Sequence, residues 1–384
     1  MEILSPYVWL FTALLIVVLA AQRMGDIFAR FKLPLISGFL FAGIIVGPFI
    51  LDFVHTENIP SLLFLDELAL AFIAIAAGAE LELQVIRGYF RSIISIITGQ
   101  VIVVFAIGIT TFILIKDFIP FMAGLPQAEV FAIAMLGATI MIARSPSSAL
   151  AIIKELRARG PFTAKVLGAT VLKDAVVILI FAAAVSVAAV LVEGETFNIG
   201  ILGFVVFEIL LDIGLGILLG LLLQQITKIP YQWFKSGIIL LVGLGVFSLS
   251  TYLHDFHLFG LPFGLFSEPL LICMTAGFYV ANFTNLASDF QHTMEEMAPI
   301  IFLMFFTLVG IELELDVIGQ TWGILLVLAI VRIVGIFIGS FAGSVLAGDR
   351  GPNNRYLGLG FITQAGVSVG LAKEIGVEFV EWGP

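Results

Sequence analysis

The stretch AAGAELELQVI (residues 76–86) recurs almost unchanged as LVGIELELDVI (residues 308–318). Both copies contain Gly-x-Glu-Leu-Glu-Leu, a pattern too specific to arise by chance in so apolar a chain. A looser match links LPLISGFLFAGIIVGP (residues 33–48) to EPLLICMTAGFYVAN (residues 268–282). The sequence therefore predicts that the fold is built from two related halves.

The composition places the chain in a lipid bilayer. Hydrophobic residues make up 60% of the 384 residues and charged residues 12%, and the mean hydropathy is +1.15. Soluble proteins contain about 45–50% apolar and about 25% charged residues. The net charge of -10 argues against nucleic-acid binding. A single cysteine, Cys273, excludes an internal disulfide, and the four histidines have no metal-ligand spacing.

Transmembrane helices need about 20 apolar residues each, and twelve segments of this kind follow one another with short loops between them. Their residue ranges are 6–22, 34–52, 61–83, 92–115, 128–153, 163–192, 198–225, 235–253, 261–281, 297–315, 321–347 and 355–375. We therefore expect an all-α membrane protein in which residues 1–384 form a single transmembrane domain.

Basic residues orient these spans. Thirteen of the 18 lysines and arginines lie in the loops after odd-numbered spans, which the positive-inside rule assigns to the cytoplasm. The N-terminus is then predicted to be outside. By this count the final residues, VEFVEWGP, also lie outside. We expect a thirteenth span to follow, with room for a C-terminal regulatory part beyond it.

The two halves have opposite orientations in the membrane, because matching spans are separated by seven spans, an odd number. Repeat one covers residues 34–192 and repeat two covers residues 261–384. Inverted repeats are typical of secondary transporters, which bind substrate near the midplane where discontinuous helices meet. The sequence thus predicts a single transmembrane transport domain.

The predicted discontinuous helices are spans 5 and 12. Span 5 contains IARSPSSALA (residues 142–151) and span 12 contains ITQAGVSVGL (residues 362–371), so that Pro146 aligns with Gly366 and Ser148 with Ser368. Proline and glycine interrupt helices. The predicted break residues are Pro146, Gln364, Gly366 and Ser368.

Several charged residues lie deep inside spans, where a charge is costly unless it faces protein or water. Asp174 follows Lys173 in GATVLKDAVVILIFAA, and Arg144 and Arg332 are similarly deep. Burial favours the neutral form of a carboxyl group and a nearby cation favours the charged form. We therefore expect Asp174 to exchange a proton for a small cation.

Oxygen ligands for that cation are predicted next to the break in span 5. Ser147 and Ser148 lie there, and the broken helices would add backbone carbonyls. Hard cations prefer oxygen ligands. The sequence predicts no other metal, no cofactor and no enzymatic nucleophile.

The basic residues admit more than one role. Arg332 is either the counter-charge of Asp174 or a scaffold partner of Glu80 or Glu312. Arg144 either offsets the negative carbonyl end of a half-helix or belongs to a structural ion pair. Lys173 projects about 100° from Asp174 on the helix and is expected to have another partner; the alternative is a permanent lock on Asp174.

Together these segments resemble the monovalent cation:proton antiporter superfamily. The motifs that carry the resemblance are LPLISGFLFAGIIVGP, GAELEL, RSPSSALAI, VLKDAVV, the Arg332 helix and FITQAGVSVGLA, and they occur in the family's order across the whole chain. The resemblance implies an inverted-repeat antiporter fold with two crossed discontinuous helices, spans 5 and 12. It also implies a homodimer whose core moves like an elevator, with Asp174 binding the ion and Arg332 as the basic residue of the following core helix.

The chain departs from the family at Lys173, a position that is usually Asp, Asn or Gln. With one carboxylate at the site, our leading hypothesis is an electroneutral Na⁺/H⁺ or K⁺/H⁺ antiporter. Arg144, Lys173 and Arg332 would compensate its charge. The alternative is a sensor, regulated channel or anion-coupled carrier of the same fold, in which Lys173 neutralises Asp174. Short loops and the lack of a targeting peptide favour a bacterial inner membrane.

Overall fold

The computed structural model describes residues 4–144, 146–193, 199–254, 268–313, 315–349 and 351–364, together with residues 371, 372 and 375. The α-helices within these residues are α1 (Leu4–Arg30), α2 (Leu35–Val46), α3 (Leu63–Ala79), α4 (Leu83–Ile115), α5 (Gln127–Ile142), α6 (Pro146–Glu155), α7 (Pro161–Glu193), α8 (Ile199–Thr227), α9 (Gln232–His254), α10 (Pro269–Phe283), α11 (Ala287–Ile311) and α12 (Leu315–Leu346). Short 3₁₀ helices occupy Thr56–Leu62, Lys116–Phe118 and Pro352–Phe361.

The helices follow the predicted spans. Each of the first eleven predicted spans overlaps an α-helix, and the fifth overlaps both α5 and α6. In the part of the chain that the structure describes, eight helical stretches are long and apolar enough to cross a membrane, and α2 and α10 are shorter apolar helices. The twelfth predicted span begins in the 3₁₀ helix Pro352–Phe361.

Two helices begin earlier than their apolar runs suggest. Helix α4 starts at Leu83 rather than residue 92, and α11 starts at Ala287 rather than residue 297. A helix satisfies its own backbone hydrogen bonds, so it continues past the apolar region into the interface. Arg87 and Arg91 extend from this part of α4 and are exposed, as long basic side chains near the interface usually are.

The chain divides into two compact units. The first comprises Met1–Glu80, Leu150–Ala158 and Asp212–Gln320. The second comprises Leu81–Ala149, Arg159–Leu211 and Thr321–Pro384. In the first unit α2 packs against α1 and α11, and α3 packs against α9, α10 and α11; in the second, α4, α5 and α7 pack against one another.

Helices α2 and α11 meet backbone to backbone through a glycine on each. A Cβ atom at Gly43 would collide with the carbonyl oxygen of Thr307, and one at Gly310 would collide with that of Leu40. In each case the carbonyl lies three residues before the facing glycine. Small residues permit this close approach in membrane helices, where packing and not water exclusion drives association.

Helices α3 and α10 meet in the same way. A Cβ atom at Gly78 would collide with the carbonyl oxygen of Met274, and one at Gly277 would collide with that of Ile75. The offset of three residues is again the same on both sides. The two helix pairs of the first unit therefore use one contact geometry.

Ionic contacts fix the end of α6 within the first unit. Lys154 forms a short ion pair with Glu80, the residue that ends α3. Both carboxylate oxygens of Glu155 accept from the backbone N–H of Leu35 at 3.0 Å. This N–H belongs to the first turn of α2, where helix donors have no intrahelical partner and negative charge is favourable. Glu80, one of the alternative partners considered for Arg332, is thus engaged by Lys154.

Candidate functional site

The predicted break in span 5 is present in the second unit. Helix α5 ends at Ile142, and Ala143 has extended backbone angles (φ -58°, ψ 150°). Helix α6 begins at Pro146, which suits the first position of a helix because its missing N–H would have no partner there. The carbonyls at the end of α5 consequently need donors from elsewhere in the fold.

Arg332 supplies those donors. This side chain on α12 is 6% exposed, and it donates to the carbonyl oxygens of Met141 and Ala143 at 3.0 and 3.1 Å. It also donates to the carbonyls of Ile362 and Thr363 at 2.5 and 3.4 Å. One guanidinium therefore ties the end of α5 to the segment after the last 3₁₀ helix. The role expected of Arg144 at the carbonyl end of α5 is filled by Arg332, which reaches it from the neighbouring helix.

Carbonyls at the end of α5, which we expected to be available as cation ligands, accept hydrogen bonds from Arg332. Gln364 contributes to this as well, since its Nε2 donates to the carbonyl of Ile140 at 3.0 Å. Gln364 is exposed, and the other predicted break residues of span 12, Gly366 and Ser368, lie outside the described residues. The structure thus brings the first part of the predicted break in span 12 to the break in span 5.

Arg144 is fully buried and binds a different set of groups. Its guanidinium donates to the carbonyl of Gly360 at 2.8 Å and makes a short hydrogen bond to the hydroxyl of Thr170. The ring of Phe361 lies 5.0 Å from the guanidinium carbon, within the range of a cation–π interaction. Arg144 therefore joins the interruption after α5 to α7 and to the 3₁₀ helix Pro352–Phe361.

Asp174 and Lys173 lie in the middle of α7 and face different surroundings. Lys173 is fully buried, and its Nζ donates to Oε1 of Gln100 on α4 at 2.8 Å. Asp174 is partly exposed. The partner expected for Lys173 away from Asp174 is therefore present, and it is a neutral amide.

The four charges form one electrostatic cluster. Arg144, Lys173 and Arg332 act on one another, and Asp174 acts on Arg144 and on Lys173. Two of these cations, Arg144 and Lys173, thus act on the Asp174 carboxylate inside the second unit. A cation that binds here has to compete with fixed positive charge.

The predicted serine ligands lie at the start of α6. Ser147 and Ser148 are both buried, three and four residues after Arg144 in the sequence. Pro146 begins this helix. The first turn of α6 therefore follows directly on the interrupted backbone that Arg144 and Arg332 hold.

Two polar groups of this cluster were absent from the predicted site residues. Gln100 and Thr170 are both fully buried, and they contact Lys173 and Arg144 respectively. Both residues are neutral and lie in strongly apolar runs. The signal for Gln100 in the sequence was an amide side chain near the start of the apolar stretch TGQVIVVFAIG (residues 98–108).

Sequence comparison matches a family profile, described as sodium/hydrogen exchanger, transmembrane, to residues 11–380. The chain is 23% identical over 362 residues to the probable Na⁺/H⁺ antiporter GerT of Bacillus cereus, with 94% of this chain and 88% of GerT covered. It is 23% identical over 378 residues to the Na⁺/H⁺–K⁺ antiporter GerN of the same organism, with coverages of 94% and 87%. A Na⁺/H⁺ antiporter of Enterococcus hirae is 22% identical over 363 residues, with coverages of 92% and 86%.

Structural comparison gives the same fold. The sodium proton antiporter MjNhaP1 of Methanocaldococcus jannaschii at pH 8 aligns with a TM-score of 0.68 and 17% identity, over 99% of this chain and 88% of that chain. A second MjNhaP1 structure, from electron microscopy, aligns with a TM-score of 0.73 and 18% identity, over 99% and 87%. Because the family profile covers nearly the whole chain, the protein belongs to the sodium/hydrogen exchanger family of integral membrane proteins.

Proposed function

We propose that the protein exchanges a monovalent cation, Na⁺ or K⁺, for a proton, and that Asp174 carries each of them in turn. The observation that carries the proposal is the position of Asp174. Asp174 is a half-buried residue in the middle of a membrane helix, and its Oδ1 is buried. It lies within the field of Arg144 and Lys173. Intramembrane carboxylates in such settings mark ion and proton pathways.

One carboxylate makes the exchange electroneutral. The site is neutral when Asp174 holds a proton, and it is equally neutral when the ionised carboxylate holds one monovalent cation. The fixed charges of Arg144, Lys173 and Arg332 are the same in both loaded forms. Each crossing therefore carries the same net charge, and one cation is exchanged for one proton.

The ligands we propose beside Asp174 are the hydroxyl oxygens of Ser147 and Ser148. Both residues are buried at the start of α6, where the chain resumes its helix after the break. Hydroxyl and carboxylate oxygens are the donors that hard cations take. The names of the relatives support the choice of ion, since GerT and the Enterococcus hirae protein are called Na⁺/H⁺ antiporters and the name of GerN adds K⁺.

We place this site in an inverted-repeat fold that works by alternating access, with two crossed discontinuous helices in its core. The matching glycine contacts of α2 with α11 and of α3 with α10 support the repeat. A two-fold relation that exchanges α2 with α10 and α3 with α11 turns one contact into the other. Such folds alternate access by moving one group of helices against the rest.

The same proposal covers the cellular setting. The protein would be a single transport domain that functions as a homodimer in a bacterial plasma membrane, with its N-terminus outside. The excess of basic residues in the loops after odd-numbered spans supports this orientation.

The competing hypothesis, a sensor or anion carrier in which Lys173 neutralises Asp174, requires the two side chains to engage each other. Lys173 instead donates to Gln100. The geometry therefore favours the exchanger, because the lysine that would have to neutralise the carboxylate is engaged on another helix.

Transport in proteoliposomes tests the proposed function. A gradient of NaCl or KCl is imposed, proton movement is followed with a trapped pH dye, and choline chloride is the control salt. We expect cation-driven proton flux that does not change when valinomycin and potassium clamp the membrane potential. Asp174→Asn should reduce this flux to that of empty liposomes, and Asp174→Glu, which keeps the carboxylate, should retain part of it. Full flux in Asp174→Asn would exclude the mechanism.

A further inference from the structure

The ammonium of Lys173 is held by a chain of buried neutral groups. Its Nζ donates to Oε1 of Gln100 at 2.8 Å, and Nε2 of Gln100 donates to Oγ of Ser340 at 2.7 Å. Ser340 in turn donates to the carbonyl of Ile336 at 2.6 Å. Lys173, Gln100 and Ser340 are each fully buried. The chain therefore links the ion-site helix α7 through α4 to α12.

Close helix packing fixes the position of Gln100. A Cβ atom at Gly339 of α12 would lie 2.6 Å from the Cα of Gln100, and one at Gly99 would collide with the carbonyl oxygen of Gly339. Another collision would arise between a Cβ atom at Gly343 and the carbonyl of Ser95. Helices α4 and α12 thus touch along their backbones, which leaves the amide of Gln100 one well-defined place between them.

An amide acceptor has a specific electrostatic consequence. The amide oxygen accepts a hydrogen bond from the ammonium without cancelling its charge. A carboxylate would accept the hydrogen bond and also cancel the charge. The charged groups that act on Lys173 are Arg144 after α5, Arg332 on α12 and Asp174 on α7 itself, and α4 contributes the neutral Gln100. When Lys173 is protonated, the amide of Gln100 leaves its positive charge uncancelled while Nζ stays engaged with α4.

We propose that Gln100 is a positioning residue for the exchange reaction, which sets cation affinity and the active pH range by holding the ammonium of Lys173 on α4, where it does not compete with the transported ions for Asp174. The inference rests on the proposed cation/proton exchange and deepens it. It predicts that two substitutions of Gln100 shift the apparent KM for Na⁺ in opposite directions. Gln100→Leu frees the ammonium of Lys173, and Gln100→Glu neutralises it.

Gln100→Leu removes the acceptor at similar volume. Lys173 then turns to the nearest carboxylate, Asp174, and the cation has to displace it, so the apparent KM for Na⁺ should rise about tenfold, as expected for loss of one charge-assisted hydrogen bond. Gln100→Glu places a carboxylate beside the ammonium. The apparent KM should then fall, and the pH of half-maximal exchange should move up by about one unit, the size of effect that a nearby opposite charge produces.

The decisive experiment measures Na⁺-driven proton flux against pH and Na⁺ concentration in proteoliposomes. The variants are Gln100→Leu, Gln100→Glu, Lys173→Met and the double variant Gln100→Leu with Lys173→Met. Thr111→Val is the matched control, because Thr111 is a buried polar residue of the same helix whose hydroxyl donates to the carbonyl of Ile107 within that helix. Thermal stability of each purified variant identifies any that fail to fold.

The expected result is opposite shifts in KM for the two single variants at Gln100, with no change in Thr111→Val. Gln100→Leu should have no further effect once Lys173 is Met. One outcome would overturn the inference but leave the exchange mechanism standing. In it, wild type exchanges ions and Asp174→Asn does not, while both variants at Gln100 change the rate without moving KM or the pH profile. The inference also fails if the effect of Gln100→Leu persists in Lys173→Met, or if either variant at Gln100 does not fold. Absence of Na⁺-driven proton flux in wild type would overturn both the inference about Gln100 and the proposed exchange function.

Discussion

Replacing Arg332 with Gln tests whether this guanidinium holds the two interrupted segments together. It donates to four carbonyls, those of Met141, Ala143, Ile362 and Thr363, over 2.5–3.4 Å. Each hydrogen bond to a charged group contributes about 1.5–3 kcal/mol. Simple addition overstates the total, because bonds that share one side chain are not independent and because burial of the guanidinium has its own cost.

We therefore expect Arg332→Gln to lose about 3–5 kcal/mol of folding free energy, the usual cost of breaking a buried charged network. A glutamine reaches at most part of the same carbonyls, so the end of α5 loses its donors. For a protein of this size, that loss corresponds to a decrease in Tm of about 4–6 °C. Cation/proton exchange should fall together with Tm, since the interrupted segments next to Ser147 and Ser148 lose their anchor.

The assay is thermal unfolding of the purified protein in detergent, followed by tryptophan fluorescence at one scan rate for all variants. Arg91→Gln is the matched control, because Arg91 lies on the exposed part of α4, and its Tm should stay within about 1 °C of wild type, as for most surface substitutions. A Tm for Arg332→Gln as close to wild type as that of the control would refute the reasoning.

Two further predictions concern packing and ion binding. Gly310→Val should destabilise the protein by about 1–3 kcal/mol, because the valine side chain would collide with the carbonyl of Leu40. Gly319→Val is the control, since no atom lies within 4 Å of a Cβ atom built at Gly319. Equal Tm values for the two variants would contradict the packing argument. Ser147→Ala combined with Ser148→Ala should raise the apparent KM for Na⁺ about tenfold in the flux assay, since two oxygen ligands are lost. Loss of flux with an unchanged KM would count against these serines as ligands.

The sequence predicted the helical architecture and drew attention to the charged residues inside the helices for simple physical reasons. Charged residues within apolar runs, such as Asp174 and Arg332, are costly in a membrane and therefore conspicuous. The interruption at Pro146 was equally visible, because proline removes a helix hydrogen bond. The family profile confirms the resemblance on which the functional hypothesis rested.

The contacts of these charges were harder to predict. Arg332 binds backbone carbonyls, which every residue carries and which therefore leave no signal in the sequence. The amide of Gln100 became visible only when the glycine contact between α4 and α12 placed it beside Lys173. Apolarity also misplaced the start of α4, since a helix extends beyond the apolar region when its charged side chains reach solvent.

Proton release on cation binding tests the central claim most directly. Purified protein in weakly buffered detergent solution, near the pH of half-maximal exchange, is mixed with NaCl or with choline chloride at equal ionic strength, and a pH dye reports the released protons. We predict a release that saturates with Na⁺ in wild type, is absent with choline and is absent in Asp174→Asn. A release of the same size in Asp174→Asn, or none in a wild-type preparation that transports, would contradict the claim that one carboxylate holds the proton and the cation in turn.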